Sequence, residues 1–145
     1  MKNSLAIILT FIGLSLTVSA SDLPETVLVT GQEQHVQGIA YDSAENCMYM
    51  SFTSRFVKTD MQGNILASID RIQGHLGAMT FNPETRKVYA SLECKDDEIG
   101  AGIAKTLNVN TVSRADSRFF IAVIGVDLLE GIGMDPEGND VMKTV

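Results

Sequence analysis

The stretch HVQGIAYD, residues 35–42, returns forty residues later as HLGAMTFN, residues 75–82. A second pair of segments follows at the same offset, NCMYMSF at 46–52 and RKVYASL at 86–92. The offset aligns five pairs of like residues: His35 with His75, Tyr41 with Phe81, Asp42 with Asn82, Tyr49 with Tyr89, and Ser51 with Ser91. Self-similarity at a fixed period of about 40 residues predicts two copies of one supersecondary unit.

Each copy contains short segments with the alternation of a β-strand. In the first copy one face carries Met48, Met50 and Phe52, and the other carries Cys47, Tyr49 and Ser51. Alternation of period two places one set of side chains on each face of a sheet. Turn residues and further β-branched runs predict four antiparallel strands between residues 35 and 72, at 38–42, 46–53, 55–61 and 65–69. A separate strand is predicted over 25–30.

The second copy begins like the first and then departs from it. Strands are predicted at 76–81, 87–93 and 118–127, and a polar loop is predicted for the insert at 94–117. The last residues fit two registers. Residues 134–137 open a third copy in one register, and residues 141–145 form the fourth strand of the second copy in the other. We favour the second register because it completes the unit, from 75 to 145, without skipping a strand.

The repeat resembles the blades of the secreted propellers of the NHL, YVTN and gluconolactonase-like group. Those blades carry a His or Pro before Gly-Ile-Ala, then an aromatic residue and Asp, then Leu-Tyr-Val-Ser, then Asp-x-x-Gly. The matching residues are His35, Gly38-Ile39-Ala40, Tyr41-Asp42, Met48-Tyr49-Met50-Ser51 and Asp60-Met61-Gln62-Gly63. The resemblance covers 35–93 well and 118–145 loosely. It implies an all-β fold of four-stranded antiparallel blades.

Propellers close with about four to eight blades, whereas two are written here. The resemblance therefore implies an incomplete propeller, the N-terminal part of a longer one. In such a piece the outer faces of the blades have no neighbouring blade. We expect Met48, Met50, Phe52 and the strand 119–126 to include residues without a partner, and Tyr49 and Tyr89 to occupy equivalent sites in successive blades.

The first twenty residues have the features of a secretory signal peptide. Lys2 gives a charged start, 5–18 is an uncharged apolar run, and Val18-Ser19-Ala20 supplies small residues for cleavage after Ala20. The alternative is a membrane anchor, but a run of roughly 14 residues is shorter than the ~20 that a spanning helix needs. We therefore expect an exported chain, periplasmic or extracellular, whose mature part is 21–145.

The net charge limits the classes of partner that the chain can bind, and the two cysteines raise the question of a disulfide. The net charge of −7 disfavours nucleic acid, whose binding depends on neutralising phosphates, and disfavours anionic membrane surfaces.

Two cysteines, Cys47 and Cys94, are present in a chain expected to reach an oxidising compartment. Cys47 falls at the start of its strand and Cys94 just past the end of the equivalent strand. That placement argues against a disulfide between them.

Two sets of residues are candidates for a site. His35 and His75 each precede the innermost strand of a blade, where a ring of histidines would bind a ligand or metal; the alternative is that each caps its own blade. Glu93, Asp96 and Asp97 supply the hard oxygen ligands that calcium prefers; the alternative is a solvated acidic loop.

Two functions remain open at this level. The first is a non-enzymatic binding module for a small molecule, glycan or protein. The second is a metal-dependent, lactonase-like hydrolase with an ion in the central channel that activates water. The resemblance is one of fold, which does not fix function. Inward-facing carboxylates from several blades would favour the hydrolase, and the two copies offer one, Glu93. Binding is therefore preferred, and enzymatic activity is left undecided.

Overall fold

A computed structural model describes residues 24–32 and 34–145. Within them eight strands form: β1 (Val36–Asp42), β2 (Cys47–Phe52), β3 (Arg55–Asp60), β4 (Ile65–Ile69), β5 (His75–Asn82), β6 (Lys87–Cys94), β7 (Arg118–Gly125) and β8 (Met142–Thr144). They make two antiparallel sheets, in the orders β1-β2-β3-β4 and β5-β6-β7-β8. The fold is all-β and propeller-like, with two four-stranded blades, which confirms the predicted fold class.

The last strand joins the second sheet. β8 pairs with β7 in an antiparallel ladder in which Ile124 lies opposite Met142 and Ala122 opposite Thr144. The register that places the last residues in a fourth strand therefore matches the structure. Among the described residues no helix is long and apolar enough to cross a membrane. The signal peptide predicted for residues 1–20 lies outside the described residues.

The two sheets pack face to face. The alternation of β2 turns Tyr49 and Ser51 toward the second sheet, where both are fully buried. The core between the sheets contains Tyr49, Phe56 and Ile69 from the first and Leu76, Val88, Ala90, Leu92, Ala122 and Ile124 from the second. The Tyr49 ring stacks on Phe56, with centroids 5.8 Å apart, and meets Phe81 of the second sheet at 5.3 Å. Aromatic pairs of this kind contribute about 0.5–1.5 kcal/mol beyond area burial.

The repeat is visible in the turns as well as in the strands. The Oδ1 atom of Asp42 accepts hydrogen bonds from two amides of the turn after β1, at 3.0 and 3.3 Å. Asn82 does the same after β5, at 2.9 and 3.1 Å. Each turn ends on a residue with left-handed backbone, Asn46 (φ 50°) and Arg86 (φ 53°). Asp and Asn suit this position because their short side chains cap the turn amides.

A buried carboxylate links the sheets. Asp42 is 1% exposed, and its Oδ2 atom accepts from the Tyr49 hydroxyl at 3.1 Å and from the Arg86 guanidinium of the second sheet at 2.6 Å. Arg86 also contacts Glu45 and Asp127. Because a buried charge is costly unless paired and hydrogen-bonded, these contacts fix how the sheets sit together.

The strand predicted over 25–30 is wrong. This segment has no ladder partner and lies as an irregular chain against the first sheet, with Val29 packed beside Met50 and Phe52. It passes so close to the turn at Gly63 that a Cβ there would collide with the Leu28 carbonyl oxygen. β-branched residues favour a strand only where a pairing edge is available, and here the segment lies over a sheet face.

The expectation about unpartnered residues holds in one sheet and not in the other: Phe119 and Ile121 are exposed, whereas two residues of the first sheet are not. Met50 and Phe52 are 4% and 3% exposed, because 24–30 and the first sheet enclose them, and so they are not bare. Tyr89 is only half-buried, because its face of the second sheet points away from the first. The fully buried tyrosine is its equivalent, Tyr49.

The insert is the third correction. The segment 94–117 was expected to be a polar loop, but it contains the helix α1 (Glu98–Leu107). Ile103, Ala104 and Leu107 are buried on one side of this helix. Their spacing of one, three and four residues is that of a helix face, which the exposed apolar residues Ile99 and Ala101 and two glycines obscure in the sequence.

Acid titration tests the link between the sheets. Burial alone would raise the pKa of Asp42, but the hydrogen bonds from Arg86, from the turn amides and from Tyr49 outweigh it, and the pKa is lowered from 3.8. A carboxylate with a lowered pKa stabilises the fold above its unfolded value, and that contribution is lost as the pH falls through its folded value. We expect the stability gap between the wild type and Asp42→Asn to be large at pH 7 and to shrink below about pH 4.

Urea unfolding at a series of pH values measures this gap. Asp96→Asn is the control, because the Asp96 side chain is exposed. A gap between wild type and Asp42→Asn that stayed constant from pH 7 to pH 3 would show that the charge of Asp42 contributes nothing to the fold.

Candidate functional site

A row of three side chains crosses the second sheet near one end. In the strand register His75 of β5 lies opposite Glu93 of β6, and Glu93 lies opposite Phe119 of β7. Directly opposed residues share a face of the sheet. This is the face turned away from the first sheet, and the Phe119 ring is 72% exposed on it. The ladder therefore places an imidazole, a carboxylate and an aromatic ring side by side at the surface.

Lys95 completes the row from the start of the insert. Its ammonium pairs with Glu93 Oε1 and lies 4.6 Å from the centroid of the Phe119 ring. The second oxygen of Glu93, Oε2, lies 4.0 Å from His75 Nδ1. A carboxylate together with the face of an aromatic ring is a favourable place for a cation. The site of His75, Glu93, Lys95 and Phe119 is called the Glu93 row below.

Helix α1 is built next to this row. Gly100 lets the helix approach the turn that carries Lys95, since a Cβ at that position would collide with the Lys95 carbonyl oxygen. A small cleft is lined by Glu93, Lys95, Gly100 and Ile103, among others. The insert therefore places the ammonium of Lys95 over the row.

The predicted site residues are only partly brought together. His75 and Glu93 are neighbours, whereas His35 lies just before β1 in the other sheet and is exposed. Asp96 is exposed, and its amide donates to the Ser117 hydroxyl at 3.1 Å. Asp97 has a structural role: its side chain caps the N-terminus of α1 by accepting from the Gly100 amide at 2.8 Å.

The acidic residues do not form a three-ligand set. In the described part of the chain, one group of three His, Cys, Asp or Glu residues has ligand atoms within 4.8 Å of one another: Asp42, Glu45 and Cys47. Arg86 already binds both carboxylates of that group. Burial raises the pKa of the Cys47 thiol, which keeps it protonated and a poor metal ligand. Calcium binding by Glu93, Asp96 and Asp97 stays a prediction.

Both cysteines, Cys47 and Cys94, are free thiols. The Cys94 thiol donates to the Gln73 carbonyl oxygen at 3.3 Å, and Cys47 is buried at the start of β2. The argument against a disulfide therefore agrees with the structure.

Lys95 and Phe119 are site residues that the sequence did not reveal. Lys95 lies at the start of the insert and Phe119 in β7 just after it, so the offset of forty residues assigns them no counterpart. Extending the register of β6 across the insert would have placed Phe119 opposite Glu93, but that step requires knowing where β7 begins.

Comparison with known proteins identifies no family. No family profile and no curated sequence matches the chain. Among solved structures, the soluble aldose sugar dehydrogenase of Escherichia coli, in its apo form, is 13% identical over 77% of this chain, with a TM-score of 0.46. The chain spans 29% of that protein. The computationally designed Ika4 protein is 16% identical over 81% of this chain and 82% of its own, with a TM-score of 0.41.

Replacing Asp97 separates its capping role from a role as a metal ligand. Loss of an N-cap costs about 1 kcal/mol, and Asn caps as well as Asp. We therefore expect Asp97→Ala to lower the free energy of unfolding by roughly that amount and Asp97→Asn to leave it nearly unchanged.

Thermal unfolding with and without calcium measures both effects. If Asp97 were a calcium ligand, calcium would stabilise the wild type, and Asp97→Asn would lose that stabilisation although its cap is intact. Equal melting temperatures for all variants would contradict the capping role.

Proposed function

We propose that the chain is an exported binding module without catalytic activity, and that its ligand presents a cationic group to the Glu93 row. The ligand is a protein segment, a small molecule or a glycan that carries an amine or guanidine. The observation that supports this most directly is the position of Lys95. The protein's own ammonium already occupies the place between the Glu93 carboxylate and the Phe119 ring.

An external cation can take the place of the Lys95 ammonium beside Glu93. The Lys95 side chain is 40% exposed and can turn outward into water, and the entering cation then supplies the counter-charge for the Glu93 carboxylate, which is 23% exposed. Once Lys95 turns outward, the row offers a carboxylate, an aromatic face and the His75 imidazole. The net charge of −7 attracts cationic partners and repels anionic ones.

The lactonase-like alternative lacks support in the described residues. A metal-dependent hydrolase needs ligands that converge on one ion and leave a position open for water. Glu93 is paired with Lys95, and the carboxylates of Asp42 and Glu45 are held by Arg86. We therefore assign the row to recognition.

The smallest probe of the row is tetramethylammonium, and a lysine-rich peptide is the larger one. We expect Lys95→Ala to bind both more tightly than the wild type, because the competing ammonium is gone. Phe119→Ala should bind both more weakly, because cation–π contacts contribute about 0.5–2 kcal/mol. NMR titration measures the affinities.

Lys105→Ala is the matched control, since Lys105 lies exposed near the end of α1. It removes the same charge from the protein without touching the row. If Lys105→Ala strengthened binding as much as Lys95→Ala did, general charge rather than the row would account for the effect. Unchanged binding by Phe119→Ala would remove the proposal.

Export is proposed from residues 1–20. We expect the chain, produced with its own N-terminus in a secreting host, to be recovered outside the cytoplasm and to begin at Ser21. N-terminal sequencing of the exported fraction measures this. Replacing part of the apolar run 5–18 with charged residues should retain the chain inside the cell. A cytoplasmic product that still began at Met1 would contradict the proposal.

A further inference from the structure

We propose that copies of this chain associate head to tail, so that the exposed face of the second sheet of one copy packs on the first sheet of the next. This contact would repeat the one between the chain's own two sheets. The proposal goes beyond the binding function, and because Glu93 and Phe119 lie on the same face of the second sheet, association would also cover part of the Glu93 row.

The exposed face is the counterpart of a buried one. In the first sheet Tyr49, Ser51 and Phe56 are all 0% exposed, because the second sheet covers them. The strand registers place Tyr89, Ser91 and Ile121 at the same positions in the second sheet. There Ile121 is 45% exposed, Ser91 is exposed and Tyr89 is half-buried. Tyr89, Ser91 and Ile121 are called the Tyr89 face below.

The contact inside the chain specifies what would cover the Tyr89 face. Ser51 Oγ donates to the Gly77 carbonyl oxygen of β5 at 2.7 Å. Shifted by one repeat, Ser91 would donate to the Gln37 carbonyl oxygen of a second copy. The Ser91 hydroxyl has only a long contact of 3.4 Å, to Ala78 O in its own sheet, and is free to make this bond.

The aromatic contact repeats in the same way. Tyr49 meets Phe81 inside the chain, and one repeat on Tyr89 would meet Tyr41 of the second copy. Tyr41 is 42% exposed, so its ring is available. The Tyr89 face of the second sheet and the Tyr41 side of the first sheet are each partly exposed. Together they carry the residues for a second contact of the kind that the chain already makes between its own sheets.

The strongest indication is a matched pair of replacements. Inside the chain Asp42 meets Arg86 across the sheets, an ion pair. The repeat puts Asn82 in place of Asp42 and Asn46 in place of Arg86. If only one member of the pair were replaced by Asn, the other member would keep its charge and lose its counter-ion. Two amides match instead, since Asn82 Nδ2 can donate to Asn46 Oδ1 of the second copy.

Side-chain volume changes in a compensating direction on the apolar parts of the two faces. On the covering side, Val88 and Ala90 of the internal contact are replaced by the larger Met48 and Met50 of the second copy. On the covered side, Phe56 is replaced by the smaller Ile121. The two enlargements exceed the one reduction, so the two faces would have to repack where they meet.

Two features weaken the association relative to the internal contact. Residues 24–30 lie over the Met50 side of the first sheet and must give way. At the inner edge Gly38 fits against β5 because it has no side chain, as a Cβ there would lie 2.8 Å from Gly77 O. Its equivalent, Ala78, has that Cβ, so the inner strands of two copies would stand slightly farther apart.

The contact joins different surfaces on the two copies. Such a heterologous contact produces a closed ring where the rotation between copies closes, and an open array where it does not. In the internal contact the Leu76 amide donates to the Thr53 carbonyl oxygen. At the offset of forty residues, the Val36 amide of the second copy would donate to the Glu93 carbonyl oxygen of the first. His35 of the second copy, the residue before Val36, would then lie near Glu93. This last consequence adds a residue to the Glu93 row and rests on the proposed binding function.

Light scattering after size exclusion, over a wide range of concentration, tests the association. We expect wild-type oligomers that dissociate on dilution, and a monomer for Ile121→Lys. Ile132→Lys is the matched control, because Ile132 is 63% exposed but lies in the loop after β7. It should associate like the wild type. A wild-type monomer at every concentration, or equal behaviour of the two lysine variants, would overturn the proposal.

A mixing experiment tests the head-to-tail geometry. Asn82→Asp and Asn46→Arg, placed in separate copies, recreate the Asp42–Arg86 pair across the contact. We expect the mixture to associate at least about tenfold more tightly than either variant alone, as hydrogen bonds to charged groups contribute about 1.5–3 kcal/mol. No gain on mixing would exclude this geometry. The effect of Lys95→Ala on cation binding is read separately, so failure of one proposal leaves the other intact.

Discussion

The ion pair between Asp42 and Arg86 is the contact on which the arrangement of the two sheets depends. Asp42 is nearly fully buried and serves three partners at once: its own turn, the Tyr49 hydroxyl and the guanidinium of the other sheet. The hydrogen bonds to Asp127 and Asp42 raise the pKa of Arg86, so the charge persists at any working pH. Removing Arg86 would leave the Asp42 carboxylate, which is 1% exposed, buried without its counter-ion, and that is far costlier than the pair itself.

This contact also orders the apolar packing around it. With the Tyr49 hydroxyl held by Asp42, its ring is fixed between Phe56 and Phe81. Burial raises the pKa of Tyr49, so the phenol stays neutral and continues to donate its proton. Tyr49 therefore couples a buried hydrogen bond, made by its hydroxyl, to the hydrophobic packing of its ring. Such coupling makes the relative position of two sheets specific rather than merely compact.

The sequence was sufficient for the strands and their order but not for the irregular segments. Alternation and the forty-residue offset predicted β1, β2, β5 and β6 to within about two residues, because period-two burial is a strong local signal. β3, β4 and β7 followed from strand propensity, and β8 from the favoured one of two registers. The segment 25–30 was wrong because its strand propensity has no pairing edge to act on. Helix α1 was missed because its two glycines are poor helix formers and its exposed apolar residues, Ile99 and Ala101, blur the helical pattern of the buried side. Asp97 was read as a ligand although it caps that helix. The pairing of His75 with Glu93 follows from register, whereas Lys95 and Phe119 depend on how the insert folds back.

Positions at which the two copies of the repeat differ in sequence or in exposure tell more about the surface of the second sheet than positions at which the copies agree. Tyr49 and Tyr89 are identical, yet one is core and the other is half-exposed, so identity in the repeat reports a shared place in the sheet. Asn82 takes the place of Asp42 in the second sheet, where its side chain accepts from the amides of its own turn. The insert after Glu93 has no counterpart in the first sheet, and it supplies the ammonium that lies over Phe119. Substitutions and insertions within an otherwise regular repeat are thus where packing between the two sheets no longer dictates the residue, and both proposals made for this molecule rest on such positions.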